Sequence, residues 1–534
     1  MMLLTRKVAS VLAVLAVVVA AAGCHTGAPL EEVARRAGAE GVRLSLVLGP
    51  AVAIVHGEVP ASGGVLKFDD LGDPLDGLVL EVRKDSYDHP VMVNIFYHPI
   101  ERESELAGLD IISPLIAVDH GGQPSQEALV LRIPVYMRVR FFTSVYAYDE
   151  GTGKIEALPV LEIDKSTVTV AAQNLSMLFV TEHALEDLDS LDVDSGYRPG
   201  VDTWQFQNQG SYLTPRGNSW GMSVSSLWYY VDGPRSNGNA RLWGQYDGGP
   251  STESPTPGFW QDDVRGLAVA TAIQQAYEQA REGRYYDLVY EMHRTDTGMV
   301  GLISLRLTFD EVTFYTVADA IALTHEPQLL SACADYGVQC QTLVAYKVLG
   351  PSIWVADPND YQAHPRERVL TLRYGKFEPY RGYENLLDRA AGVETEYKKV
   401  SFLGQSALTY WNQVGEAWDR GPQQPGHPSY GLRVVERDGS GNETREAEVD
   451  GAEALRTTQS QLELRVVSDE VAETRVSLRH RETLDVMANP LPLAMGENRV
   501  GVYVEGMATW VDAEGETQSD WRWLGFDWIT VNRD

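Results

Sequence analysis

A chain whose first residues carry it out of the cytoplasm is expected to fold under oxidising conditions, and this chain begins with the pattern of such a signal. Arg6 and Lys7 stand ahead of Val8 to Ala22, an unbroken run of Val, Leu, Ala and one Ser. A basic start followed by a short apolar run is the pattern of a secretory signal. The run falls short of the roughly 20 residues that a spanning helix needs. It ends on Ala21-Ala22-Gly23-Cys24. Residues 1–23 are therefore expected to be a removable signal peptide, with everything from Cys24 onward acting outside the cytoplasm.

Small residues ahead of a cysteine resemble the lipobox of bacterial lipoproteins, with Ala21 where that family usually carries Leu. The resemblance implies lipidation at Cys24 and a membrane anchor of more than one acyl chain, enough for stable attachment. His25 follows, not the Asp that retains enteric lipoproteins at the inner membrane, so an outer-membrane or cell-surface place in the envelope is expected. Cys333 and Cys340 are the other two of three cysteines. In an oxidising compartment an even remainder favours a disulfide. The turn-like Ala334 to Gln339 between them would bring their α-carbons together across a hairpin.

The balance of 75 acidic against 44 basic residues leaves a net charge of −31. A chain this acidic repels phosphate backbones, so no nucleic-acid partner is expected. No His or Cys stands at zinc-finger spacing, and no cofactor motif is present, so neither metal nor cofactor is expected.

The length calls for several domains. Residues 40–182 read as short strands with turn residues at sandwich-like spacing. The phrases Gly63-Gly64-Val65-Leu66, Ser113-Pro114, Leu131 to Val135 and Asn174 to Val180 resemble the ankyrin-type spectrin-binding β-sandwich. That resemblance implies the architecture and not the spectrin partner. Residues 183–199 contain Asp187-Leu-Asp-Ser-Leu-Asp-Val-Asp-Ser-Gly196, which lacks the ligand order of an EF-hand; a solvated acidic linker is expected. Residues 200–420 change to an α+β pattern. Helices are expected at Trp220 to Tyr230 and Val264 to Glu282, and strands at Met299 to Leu307, Gln328 to Cys333, Cys340 to Leu349 and Ile353 to Ala356. Residues 428–534 return to strands, and Met495 to Val504 resembles the late strands of bacterial immunoglobulin-like modules. Trp521, Trp523 and Trp528 are read as sandwich core in preference to a sugar-stacking platform.

Two segments of the middle domain resemble papain-like cysteine peptidases, including the bacteriocin-processing kind. One is Trp204 to Gly210 followed by Gly217-Asn218-Ser219-Trp220-Gly221-Met222-Ser223; the other is Gln339 to Val348 followed by Ile353 to Asn359. The resemblance implies an oxyanion-hole Gln at Gln209, a nucleophile at Ser219, a base at Gln341 and its orienting carboxylate at Asp357. The family's chemistry needs a cysteine ionised at a helix start and an imidazole to take its proton. Here Ser219 replaces the Cys and Gln341 replaces the His.

The fold expected is thus an all-β sandwich, then a papain-like α+β domain, then an all-β immunoglobulin-like sandwich. The function expected is a lipid-anchored envelope protein with an inactive papain-like domain used for binding a peptide, a protein or an envelope polymer. Two alternatives stand beside it: a surface hydrolase in which His325 or His293 serves Ser219, and a purely structural or adhesion protein. Ser219 could equally serve only as the cap of the Trp220 helix. Lipidation is testable directly: labelled palmitate should enter the wild type and not Cys24→Ala, and label persisting in the variant would refute the anchor.

Overall fold

The computed structural model describes residues 41–102, 109–122, 125–164, 166–206, 208, 210–236, 238, 241–243, 264–280, 307–335, 338–360, 367–383, 394–409, 411–421, 424, 426, 428–449, 454–480, 486–511 and 515–534. Cys24, Gln209, His293 and all but Leu307 of the strand expected from Met299 lie outside the described residues. No helix among the described residues is long and apolar enough to cross a membrane.

Strand Val91–His98 shows how the first sandwich forms: Val91, Val93, Ile95 and Tyr97 are buried while the residues between them face outward. That period of two is what a strand with one apolar face requires. It belongs to a six-stranded sheet that also holds Phe141–Tyr148 (β1) and Met177–Ala184 (β2), and a five-stranded sheet runs from Val160–Ile163 to Gly64–Lys67. The pairings between these strands are antiparallel.

The acidic stretch after β2 is not a solvated linker. Leu185–Asp189 forms a short helix (α1) and Asp192–Asp194 forms a strand (β3), with Leu188, Leu191 and Val193 buried. Spaced between the aspartates, these apolar residues supply an inward face, and β3 pairs antiparallel with Val338–Leu349 of the next sheet. The chain connection is thus itself a strand of the middle sheet.

The middle sheet is built on the hairpin of Gln328–Asp335 (β4) and Val338–Leu349 (β5), flanked by Ser352–Ala356 (β6) and Lys399–Gly404 (β7). Cys333 pairs with Cys340 in register and the two form a disulfide, with α-carbons 4.0 Å apart. Both faces of this sheet are buried. Leu330, Ala332, Leu343 and Ala345 enter one apolar core, and Leu329, Val344 and Tyr346 enter another. A strand covered on both sides reads as a continuous apolar run, as Leu343 to Leu349 does apart from Lys347.

On the first face lies a helix absent from the sequence expectation, Phe309–Thr324. On the second lie Ser219–Val231 (α2), Val264–Ala280 (α3) and Trp411–Arg420. In chain order the Phe309 helix is α4 and the Trp411 helix α5. All of α4 is buried except Asp310 and Glu311 at its first turn. It packs against β1 and the sandwich edge on one side and against β3, β5 and β7 on the other, so the first sandwich and the middle sheet share a core.

Polar contacts cross the same joint. The Glu156 carboxylate accepts the backbone N–H groups of Gln405, Ser406 and Ala407 and the Ser406 hydroxyl. Asp319 of α4 accepts the Tyr146 hydroxyl at 2.8 Å and lies 2.9 Å from His183 Nδ1 of β2.

The C-terminal sandwich has a four-stranded and a five-stranded sheet. Its long hairpin joins Gly496–Val511 (β8) to Thr517–Arg533 (β9). Trp523 is buried with Tyr503 in the core that holds α2, α3 and α5. Trp521 is half-buried beneath the Arg475 guanidinium.

The His183–Asp319 pair makes stability depend on pH. Burial alone would lower the His183 value, but the charges of Asp319, Asp110 and Asp187 outweigh it and hold the imidazole above its ordinary value. A base whose folded value is raised stabilises fully below its unfolded value of about 6.5 and ceases to do so as pH climbs through the folded value. The thermal midpoint should therefore fall as pH rises from about 6.5, with a shallower fall in His183→Gln. Equal slopes would remove this pair as the cause.

Candidate functional site

Ser219 is the first residue of α2, half-buried, and its hydroxyl has no hydrogen-bond partner among the described residues. It does not cap the helix; Asn218 holds that place. Asn218 in turn has its side chain engaged elsewhere, accepting from the Thr214 hydroxyl and donating to Thr271 Oγ1 at 3.4 Å. The first-turn amides of α2 are met from α3 instead: Gln274 Oε1 accepts from Trp220 N at 3.1 Å and from Gly221 N at 3.2 Å.

Close helix approach makes this reach feasible. A Cβ built on Gly221 would stand 1.9 Å from the carbonyl oxygen of Ala270 in α3. Only glycine fits there. Trp220 stacks on Tyr277 of α3, with ring centroids 4.2 Å apart. On its sheet side α2 is anchored by Ser223, whose hydroxyl donates to the Thr342 carbonyl of β5 at 2.7 Å.

Gln341 and Asp357 come together at the sheet end. Gln341 Nε2 donates to Asp357 Oδ2 at 3.3 Å, and Tyr380 OH donates to the same oxygen at 2.7 Å. Asp357 Oδ1 accepts Asn359 N at 2.8 Å. Burial raises the Asp357 carboxyl above its ordinary value, opposed by Tyr380, the Asn359 amide and the charge of Arg368. The strand Tyr380–Gly382 covers the pair, since a Cβ on Gly382 would lie 2.8 Å from Gln341 Nε2 and 3.2 Å from Asp357 Oδ2.

Gln341 does not meet Ser219. Alternation along β5 sets Gln341 with Leu343 and Ala345, on the face toward α4, whereas α2 packs on the face of Thr342 and Val344. The connection runs through two other amides. Asn359 Nδ2 donates to Gln341 Oε1 at 2.9 Å, Asn208 Nδ2 donates to Asn359 Oδ1 at 3.0 Å, and Asn208 Oδ1 accepts the backbone N–H of Asn218. Helix start and carboxylate are thus linked by hydrogen-bonded amides.

His325 ends α4 in the left-handed region, with φ 53°. It therefore lies across the sheet from α2. Between α2 and the end of β6 is a cavity of about 10 Å³ bordered by Tyr197, Ser223, Ser226, Asp357 and Asp360. That is room for one water. Among the described residues no group of three or more His, Cys, Asp or Glu is placed to hold a metal ion.

No family model matches the chain, and no curated protein matches it either.

Sequence reading singled out Ser219, Gln341 and Asp357 but missed Gln274, Asn208 and Asn359 as connecting groups. Asn208 and Asn359 stand inside the motif phrases, so their position carried a signal. Gln274 carried none, because a helix cap is ordinarily sought next to the helix. The α2–α3 contact yields a test with an unusual sign. Gly→Ala in a free helix stabilises by up to about 1 kcal/mol, but Gly221→Ala should destabilise by about 1–3 kcal/mol through overpacking. A raised melting temperature would refute the close approach.

Proposed function

We propose that this chain is a lipid-anchored cell-envelope protein whose middle domain has a papain-like arrangement kept for binding and not for catalysis. The anchor is Cys24, the location is the outer membrane or cell surface, and the ligand is a peptide, a protein or an envelope polymer. The observation that carries the binding reading is the state of the carboxylate: Asp357 is engaged by Gln341, Tyr380 and Asn359 and covered by Gly382. A carboxylate in a triad orients an imidazole. This one is met by an amide, Gln341, whose hydrogen bonds go to Asp357 and Asn359 and not to Ser219.

Ser219 without a base is nearly inert, because a serine hydroxyl is hardly ionised at neutral pH. His325, the described histidine considered for that role, lies across the sheet from α2. Ser219 is the partly exposed residue of an otherwise buried helix start, and on this reading it marks where a chain is received without being cut.

Casein, peptide and ester substrates should show no turnover, and a fluorophosphonate probe should leave Ser219 unlabelled. Turnover or labelling that disappears in Ser219→Ala would replace this reading with a serine hydrolase.

A further inference from the structure

The first turn of a helix offers backbone N–H groups and a partial positive charge, the features that ionise a nucleophile and hold an oxyanion. In α2 two of those N–H groups are occupied from within the chain. Gln274 is buried, and its Oε1 accepts from both Trp220 N and Gly221 N. Its Nε2 donates to Glu278 Oε1 at 3.0 Å, one turn further along α3. The arrangement defines which end of the amide is which, since the two N–H donors require the oxygen and the carboxylate requires the nitrogen. Glu278 thereby stands behind an amide whose oxygen faces the helix start.

The geometry points to Gln274 as an internal plug of the α2 start: it takes up the amides that would otherwise act on a nucleophile at position 219, and so silences that position independently of the Ser219 and Gln341 replacements. The inference deepens the binding-only reading and rests on it. Three features make the plug specific. Asn218, which would ordinarily cap this helix, is diverted to Thr214 and Thr271. Gly221 lets the α3 backbone come near enough for the Gln274 side chain to reach, and the Trp220–Tyr277 stack holds the same two turns together. Gln274 is a positioning residue; it acts on position 219 through the helix amides.

A thiol at position 219 reports the effect. In Ser219→Cys the alkylation rate by iodoacetamide is followed against pH, read by mass spectrometry on the peptide that contains position 219. With the plug in place the thiol should titrate near the ordinary value of about 8.5. Adding Gln274→Met, similar in size and without an acceptor, should lower that value and raise the rate at pH 7 about tenfold, as one pKa unit implies. The exchange Gln274→Glu with Glu278→Gln keeps both hydrogen bonds and moves the full charge to the amides; it should lower the rate about tenfold. A rate unchanged within about twofold in either folded variant would overturn the plug. The exchange variant keeps the test decisive if Gln274→Met does not fold. Wild-type turnover at Ser219 would instead overturn the binding-only reading, and the thiol series does not measure that.

Discussion

Burial of α4 on every side is the constraint on which the rest of the molecule depends. A helix apolar all round can exist only inside, and Phe309–Thr324 is enclosed by the edge of the first sandwich on one side and the middle sheet on the other. Its one buried carboxylate, Asp319, is tolerated because Tyr146 and His183 meet it from the sandwich. An unpaired charge there would cost several kcal/mol. Glu156 repeats the logic in the opposite direction, a sandwich carboxylate received by the backbone of the middle domain. Two regions that look separate along the chain are therefore one folding problem.

The second face of the middle sheet follows a different principle. Here small residues allow close approach: Gly221 under Ala270, and Ser223, Ser225 and Ser226 of α2 bonded to Thr342, Gly221 and Ser223 carbonyls. Tyr197 and Trp204 reach the same serines through their polar tips, with Trp204 Nε1 donating to Ser225 Oγ at 2.9 Å. Aromatic groups are buried without leaving their donors unmet. The polar groups at the start of α2 are bonded to one another within this packing.

Much of the architecture was legible in the sequence, for reasons that differ by element. Strands such as Val91–His98 alternate cleanly because only one side is apolar, and Cys333 and Cys340 flank a turn between two such runs. α2 was legible from its phrase and observed at Ser219–Val231. α4 was not, because full burial removes amphipathic periodicity and Val, Thr, Phe and Tyr are common in strands. Its capping box was visible all the same: Thr308 and Glu311 bond reciprocally at its start. The acidic stretch hides its fold because Leu188, Leu191 and Val193, which are buried, are interspersed with aspartates that give it the composition of a solvated linker. In the site, Ser219 and Asp357 could be placed from motif phrases, while which helix covers the Gln341 face of β5 and which residue of α3 reaches the α2 start are tertiary facts that spacing along the chain does not encode.

The first described residues enter the fold at the joint itself. Val42 N donates to the Leu323 carbonyl at the end of α4, and Leu44 N donates to the Gly153 carbonyl of the sandwich. Gly41 to Leu44 thus meets the seam between the first sandwich and the middle domain before the chain reaches its first strand. Val42 is itself fully buried, so this contact with the helix end lies inside the shared core. The seam, and not a free strand edge, is therefore where the described chain first joins the fold.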